Sequence, residues 1–197
     1  MSWPEPVSLH GDCVSLVPLE RAHCDDLAEA ANDGGLHRLW YTFVPAPEDM
    51  MAEIGRRLAL RDAGTMLPLA VLDRVSGKAA GMTTYMNIDA ANHRLEIGST
   101  WYRRSVQRTG LNTECKYLLL AHAFETLDCV AVEFRTHFMN HQSRRAIERL
   151  GAKLDGVLRN HMIMPNGTVR DTCVYSVIAS EWPTVKTHLA WLMDKSG

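Results

Sequence analysis

The sequence predicts a mixed α/β fold, in which a central and mostly antiparallel sheet carries helices on its faces. Two observations lead there. The periodic segments run strand, two helices, three strands, helix, strand, helix, two strands, helix. Between the strands at 93–102 and 130–138 lies a helical crossover, which joins parallel neighbours, whereas the short turns elsewhere join antiparallel ones.

Each element has a local cause. Residues 13–19 alternate apolar and polar like a short strand, and Pro18-Leu19-Glu20 leads into a helix at 21–31, stopped by Asn32-Asp33-Gly34-Gly35. The aromatic stretch 36–44 fits neither period, whereas Pro45-Ala46-Pro47-Glu48-Asp49 places proline and acid where a helix over 50–62 starts. Strands at 67–72, 78–88 and 93–102 form a meander about the turn 73–77. A helix at 113–127, apolar at Cys115, Leu118, Leu119, Ala123 and Phe124, turns one face to the sheet. The β-rich stretch 130–138 precedes a helix at 140–150 that ends at Gly151, and Asn166-Gly167 joins strands at 153–164 and 169–178. An amphipathic helix at 181–193 closes the chain.

Composition narrows the functional classes. A chain of 197 residues, 46% hydrophobic and 22% charged, reads as one domain over 1–197, and no interdomain linker interrupts it. A formal net charge of −2 argues against nucleic acid as the main partner, so the arginines at 103–108 are a local feature with a small ligand. Five cysteines, odd in number and without a CxxC pair, suit reduced thiols and a cytoplasmic location. No run approaches the roughly 20 apolar residues of a membrane span.

The segment from Trp101 to Glu114 carries the most chemistry. A strand end, a basic turn and a helix start follow one another, and the first turn of a helix presents unpaired N–H groups and partial positive charge to an anion. Gly110 permits close approach or a positive φ, Arg103, Arg104 and Arg108 bring charge, and Thr109 and Thr113 bring hydroxyls. The alternative is a basic surface loop before an ordinary helix. Such a turn at the carboxyl end of a strand lies where open α/β sheets bind ligands.

Gln107-Arg108-Thr109-Gly110-Leu111-Asn112 resembles the Gln/Arg-x-x-Gly-x-Gly/Ala signature of the GNAT superfamily of N-acetyltransferases, and the element order resembles that family's throughout. Asn140-His141-Gln142-Ser143, opening a helix that ends at Leu150-Gly151-Ala152, is similar to its Asn-x-x-Ser/Ala helix. With Glu96-Ile97-Gly98, this points to the branch of ribosomal-protein serine and alanine N-acetyltransferases.

The resemblance implies a splayed parallel strand pair and acetyl-CoA as co-substrate, with no metal. Backbone from Gln107 through Thr113 would hold the pyrophosphate, the strand ending at Trp101 and Tyr102 would pair with pantetheine, and Asn140 would bind its amide. Trp101 and Tyr102 would also supply the oxyanion donor for a tetrahedral intermediate. Arg144 and Arg145 either reach the adenosine phosphate or stay solvated. Asn112 adds bulk where Gly or Ala is usual, Ala152 replaces a phenylalanine, and Ile147 stands where many members carry a proton-donating tyrosine.

The implied reaction is direct attack of an amine on the thioester. With the tyrosine missing, Ser143 is the remaining proton donor, one turn before Ile147 on the same face; the alternative is a first-turn residue satisfying backbone N–H groups. An α-amine needs little help at neutral pH, whereas a lysine must shed a proton held about 3.4 kcal/mol more tightly, so a weak base suits an α-amine. Glu96 can act as that base through water, or be a paired glutamate. Trp40, Tyr41 and His161, with Asn166, are placed at the acceptor site; Trp40 and Tyr41 serve equally as loop anchors or in a homodimer interface. His137 and His141 straddle a strand end and a helix start, so they do not form a helical metal pair. The competing functions are a non-catalytic acyl-CoA-binding sensor and, against the charge balance, a nucleic-acid-binding domain.

Overall fold

A computed structural model of the protein describes residues 3–195. Eight strands form one sheet: β1 (Leu9–His10), β2 (Val14–Pro18), β3 (Met66–Asp73), β4 (Ala79–Asp89), β5 (Arg94–Tyr102), β6 (Ala131–His137), β7 (Lys153–Ile163) and β8 (Val169–Ile178). Their spatial order is β1-β2-β3-β4-β5-β6-β8-β7, and every neighbouring pair is antiparallel except β5 with β6. The helices are α1 (Cys24–Asn32), α2 (Met50–Asp62), α3 (Leu111–Ala121), α4 (His141–Arg149) and α5 (Trp182–Asp194). The mixed, mostly antiparallel sheet with one parallel pair therefore stands as the sequence predicts.

Three boundaries depart from expectation. The helix after Gly110 begins at Leu111, two residues early, because Gly110 already adopts helical backbone (φ −64°, ψ −19°), and its last turn loosens into a π-turn over His122–Thr126. The helix expected from residue 21 opens with a 3₁₀ turn, Arg21–His23. The two-residue strand β1 is too short to leave a periodic signal.

Alternation sorts the β5–β8 half of the sheet into two faces. Leu95, Ile97, Tyr102, Val132, Phe134, Cys173, Tyr175 and Val177 join the core that includes side chains of α3 and α5. Their alternate neighbours, Glu96, Gly98 and Trp101 on β5, Glu133, Arg135 and His137 on β6, and Arg170 and Thr172 on β8, face the other way. On that side α1 and α2 build a second core with Met82 and Trp101.

Two opposed bulges shape β5. An extra residue, Ser99 (φ 47°), sits between the pairs Met82↔Trp101 and Thr84↔Gly98, and Asn87 (φ 46°) is the extra residue on β4 between Met86↔Glu96 and Asp89↔Arg94. Behind the first bulge lies Lys116 of α3, 6% exposed, whose Nζ donates to Thr100 Oγ1 at 3.0 Å and contacts Thr83 Oγ1 at 3.4 Å. Burial without a carboxylate holds this amine down at about 8.

A pH dependence follows. The ordinary lysine value is 10.5, so between about 8 and that value the unfolded chain binds more protons than the folded one. Stability therefore rises with pH across this window, by on the order of 3 kcal/mol from this residue. Lys116→Met is expected to flatten that rise and to add roughly 1–3 kcal/mol at neutral pH, as read by urea unfolding of both proteins across the window.

Candidate active site

Parallel pairing between β5 and β6 lasts only for Arg94↔Ala131, Leu95↔Val132 and Glu96↔Glu133. Beyond Glu96 the strands diverge: β5 stays with β4 as far as Tyr102, and β6 stays with β8 as far as His137. A wedge opens at their carboxyl ends. Because Arg103 N–H donates to Ala80 O at 2.7 Å, the alternation of the ladder turns the N–H of Trp101 toward β4 and that of Tyr102 toward the wedge. Of the two backbone N–H groups expected to serve an oxyanion, only that of Tyr102 faces the wedge. Its phenol takes no part: the hydroxyl donates to Cys115 Sγ at 3.2 Å in the core, and desolvation pushes its pKa well up.

Two helix N-termini meet the mouth of the wedge, since α3 follows β5 and α4 follows β6. Gln142 Nε2, in the first turn of α4, donates to Gln107 Oε1 of the turn before α3 at 3.3 Å, and Arg149, at the far end of α4, donates from Nη2 to Thr113 Oγ1 of α3 at 2.8 Å. The positive φ in the turn belongs to Arg108 (64°), not to Gly110, and it folds residues 107–110 back so that their amides lead into the first turn of α3. Leu111 opens that helix as a buried anchor, with Asn112 half-buried beside it.

Several side chains expected to meet phosphate are committed elsewhere. Thr109 Oγ1 donates to Val106 O at 2.7 Å and accepts from Leu111 N, because the turn needs that bond to close. Thr113 is buried and its hydroxyl accepts from Arg149. Gln107 Nε2 donates to Tyr102 O at 2.9 Å. The charge of Arg103 is compensated by Glu29 (3.1 Å) and Asp33 (3.2 Å), which leaves Arg104 and Arg108 exposed. What the turn offers an anion is therefore mainly backbone, as the sequence motif implies.

Glu114 keeps that backbone free of internal competition. Its carboxylate lies in the first turn of α3 yet accepts from the N–H groups of Asp12 (2.7 Å), Cys13 (2.9 Å) and Val14 (2.9 Å) across the fold. Burial raises its pKa and these bonds lower it; the bonds win, so it stays ionised and turned away from the mouth. Gly11 makes room, since a Cβ there would stand 2.4 Å from Glu114 Cδ.

On α4, Asn140 is the N-cap: its Oδ1 accepts from Ser143 N at 3.0 Å, which leaves its Nδ2 for a ligand. Ser143 is half-buried at this first turn, and Ile147 beneath it is buried in the core. Arg144 is not directed at the mouth. Its Nε donates to Tyr175 OH at 3.1 Å, its Nη1 to Phe138 O at 3.3 Å, and its guanidinium lies 4.7 Å from the Phe138 ring centroid. Arg145 is exposed.

The opposite face holds Glu96, 5% exposed, at the last parallel pair. Asn87 Nδ2 donates to its Oε2 at 2.6 Å and Arg135 Nε lies 3.6 Å away, yet desolvation outweighs both and raises its pKa. Gly98 accommodates the carboxylate, since a Cβ there would meet Glu96 Oε1 at 2.5 Å. Trp40 reaches this face from the loop 36–44: its ring stands edge-on to His137 at 5.3 Å and to Tyr41 at 5.6 Å. His161 is brought in by a bulge at Asn160 (φ 50°) and contacts Thr172 Oγ1 at 3.0 Å. Sequence reasoning missed His137 and Arg170 as site residues, because only the β6–β8 register His137↔Thr172 brings them together. No group of three or more metal-ligating side chains occurs among the described residues.

Residues 14–153 match the family model described as Acetyltransferase (GNAT) domain. The Bacillus subtilis (strain 168) protein named "Putative ribosomal N-acetyltransferase YdaF" is 31% identical over 106 residues, which is 54% of this chain and 57% of that protein's length. The crystal structure of a GCN5-related N-acetyltransferase from Brucella melitensis is 33% identical over 96% of this chain and 86% of its own, with a TM-score of 0.85. Mycobacterium smegmatis RimJ in complex with CoA-disulfide shares the fold at 20% identity, covering 97% of this chain and 96% of its own, with a TM-score of 0.79.

The cap at Asn140 yields a test. Asn140→Ala is expected to cost about 1 kcal/mol of stability and to weaken CoA binding, whereas Asn140→Asp restores the cap without the Nδ2 donor. Calorimetric titration with CoA, alongside thermal unfolding, separates the two roles: an Asp variant with restored stability and weak binding shows that Nδ2 meets the ligand.

Proposed function

Because this chain belongs to the acetyltransferase (GNAT) family, we propose that it moves an acetyl group from acetyl-CoA to a primary amine, either a protein N-terminus or a small amine. The supporting observation is the wedge between β5 and β6, with two helix N-termini on one face and a buried carboxyl on the other. Donor and acceptor then approach from opposite faces and meet between the strands.

The residues divide the work as follows. The amides of 107–113 and the start of α3 hold the diphosphate, and Asn140 Nδ2 fixes the pantetheine arm against the unpaired edge of β5. Tyr102 N–H donates to the acyl oxygen as it becomes an oxyanion. Glu96, through a water molecule, takes the proton from the attacking nitrogen; burial brings its pKa closer to neutrality and so improves it as a base. The C–N bond forms first, giving the tetrahedral oxyanion, and the C–S bond breaks as the carbonyl re-forms. Ser143, fixed at the first turn of α4, protonates the sulfur, whose thiolate is already an acceptable leaving group at a pKa of about 8.5 by analogy with cysteine. A base of this modest strength suits an α-amine better than a lysine side chain.

The cytoplasmic assignment rests on the five free cysteines, and the homodimer on the apolar side chains that the edge strand β7 exposes, among them Leu158 and Ile163.

The test is thiol release from acetyl-CoA against a panel of peptides and amines. Glu96→Gln is expected to lower kcat by roughly 10²–10⁴ with little change in KM for acetyl-CoA. Because Glu96 must be ionised to act, the rate should fall as pH drops through its raised pKa, and the variant should lose that limb. CoA binding without turnover on any amine would favour the acyl-CoA sensor.

A further inference from the structure

The acceptor face carries hydrogen-bond donors without acceptors. His137 is 4% exposed, and its Nδ1 accepts from Met139 N at 3.1 Å. A ring nitrogen that accepts a backbone N–H carries no proton, so in the neutral ring the proton sits on Nε2. Desolvation and nearby Arg170 lower the His137 pKa and keep the ring neutral. That Nε2 is buried and has no partner among the described residues, and neither has Nε1 of Trp101, 6% exposed on the same face.

Arg170 completes the set. Its half-buried guanidinium donates from Nε to Thr172 Oγ1 at 2.9 Å, and it makes no ion pair among the described residues. The other cations of this face are paired, Arg94 with Glu133 at 2.7 Å and Arg135 with Glu133 at 2.8 Å. Glu96 interacts with Arg170 at longer range, but its carboxylate is already engaged by Asn87 and Arg135. A half-buried planar fork beside a buried N–H donor matches a carboxylate in charge, shape and bonding.

Resting on the transferase reading above, we propose that Arg170 and His137 form a subsite for a carboxylate on the acceptor, so that the enzyme favours amines bearing an acidic group close to the reacting nitrogen. In a peptide this is an Asp or Glu side chain next to the N-terminal residue; in a small amine it is the carboxylate of an amino acid. Trp40, edge-on to His137 and 47% exposed, walls the subsite from solvent.

The experiment uses the full chain and matched acceptors, Ala-Glu and Ala-Gln tetrapeptides of otherwise identical sequence, and glutamate against its α-amide. Thiol release gives kcat/KM for each. The acidic member is expected to exceed its neutral partner by roughly tenfold, the size of one desolvated charge-assisted hydrogen bond, and the pair showing it names the source of the carboxylate. Arg170→Gln should bring the ratio toward one, Arg170→Glu should invert it in favour of a lysine-containing peptide, and His137→Phe should lower it with Arg170 intact. CoA titration and thermal unfolding confirm that each variant is folded. Turnover at equal rates on both members, or a preference that survives Arg170→Gln, overturns the subsite alone. Absence of turnover on every acceptor overturns the transferase reading and the subsite with it.

Discussion

The site depends on how briefly β5 and β6 are paired. Each is bound along its outer side by an antiparallel partner, β4 for one and β8 for the other, and only Arg94–Glu96 and Ala131–Glu133 join the two halves of the sheet. The Ser99 bulge adds local twist where the strands part. Past that point β5 has backbone groups facing no strand, and a buried amide without a partner costs about 1–3 kcal/mol. A ligand with its own amides relieves that cost by lying along the edge. The wedge is thus a sheet edge open to a small extended molecule such as the one proposed, and chain connectivity puts the N-termini of α3 and α4 beside it.

The pleat then separates two chemistries. Side chains alternating toward α3 make a dry core that holds Tyr102, Cys115 and Lys116 away from any reaction. Those alternating the other way include Glu96, His137 and Arg170. The Ser99 bulge matters here too: if Ser99 took a regular place in the ladder instead of bulging out of it, Thr100 and Tyr102 would point away from α3, Trp101 would leave the second core, and the Tyr102 amide would turn back toward β4.

Much of the fold was legible because its signals are local. The helix at 50–62 and the strand at 169–178 have the bounds that proline, acid and alternation predict, and Asn166-Gly167 forms its hairpin turn. The turn at 107–113 was legible as backbone and illegible as side chains. Nothing near Thr113 announces that Arg149 will occupy its hydroxyl, nothing near Arg144 announces Tyr175, and nothing near Arg103 announces Glu29. Each of those partners comes from a different element. His137 and Arg170 were hidden for the same reason.

Glu114 shows how distant contacts decide whether a motif works. A carboxylate in the first turn of a helix ordinarily stabilises the positive end of the dipole, and would then compete with a bound diphosphate for the same amides. Here it is drawn onto the backbone of residues 12–14, in a turn that only Gly11 leaves open. The same contacts clamp the start of α3 to the β1–β2 corner, which limits its freedom to shift when an anion binds. Held rigid and left unneutralised, the first turn presents its N–H groups already oriented, so binding loses little to reorganisation. The glutamate therefore supports the proposed anion site as much as the turn does, although its carboxylate is turned away from the mouth.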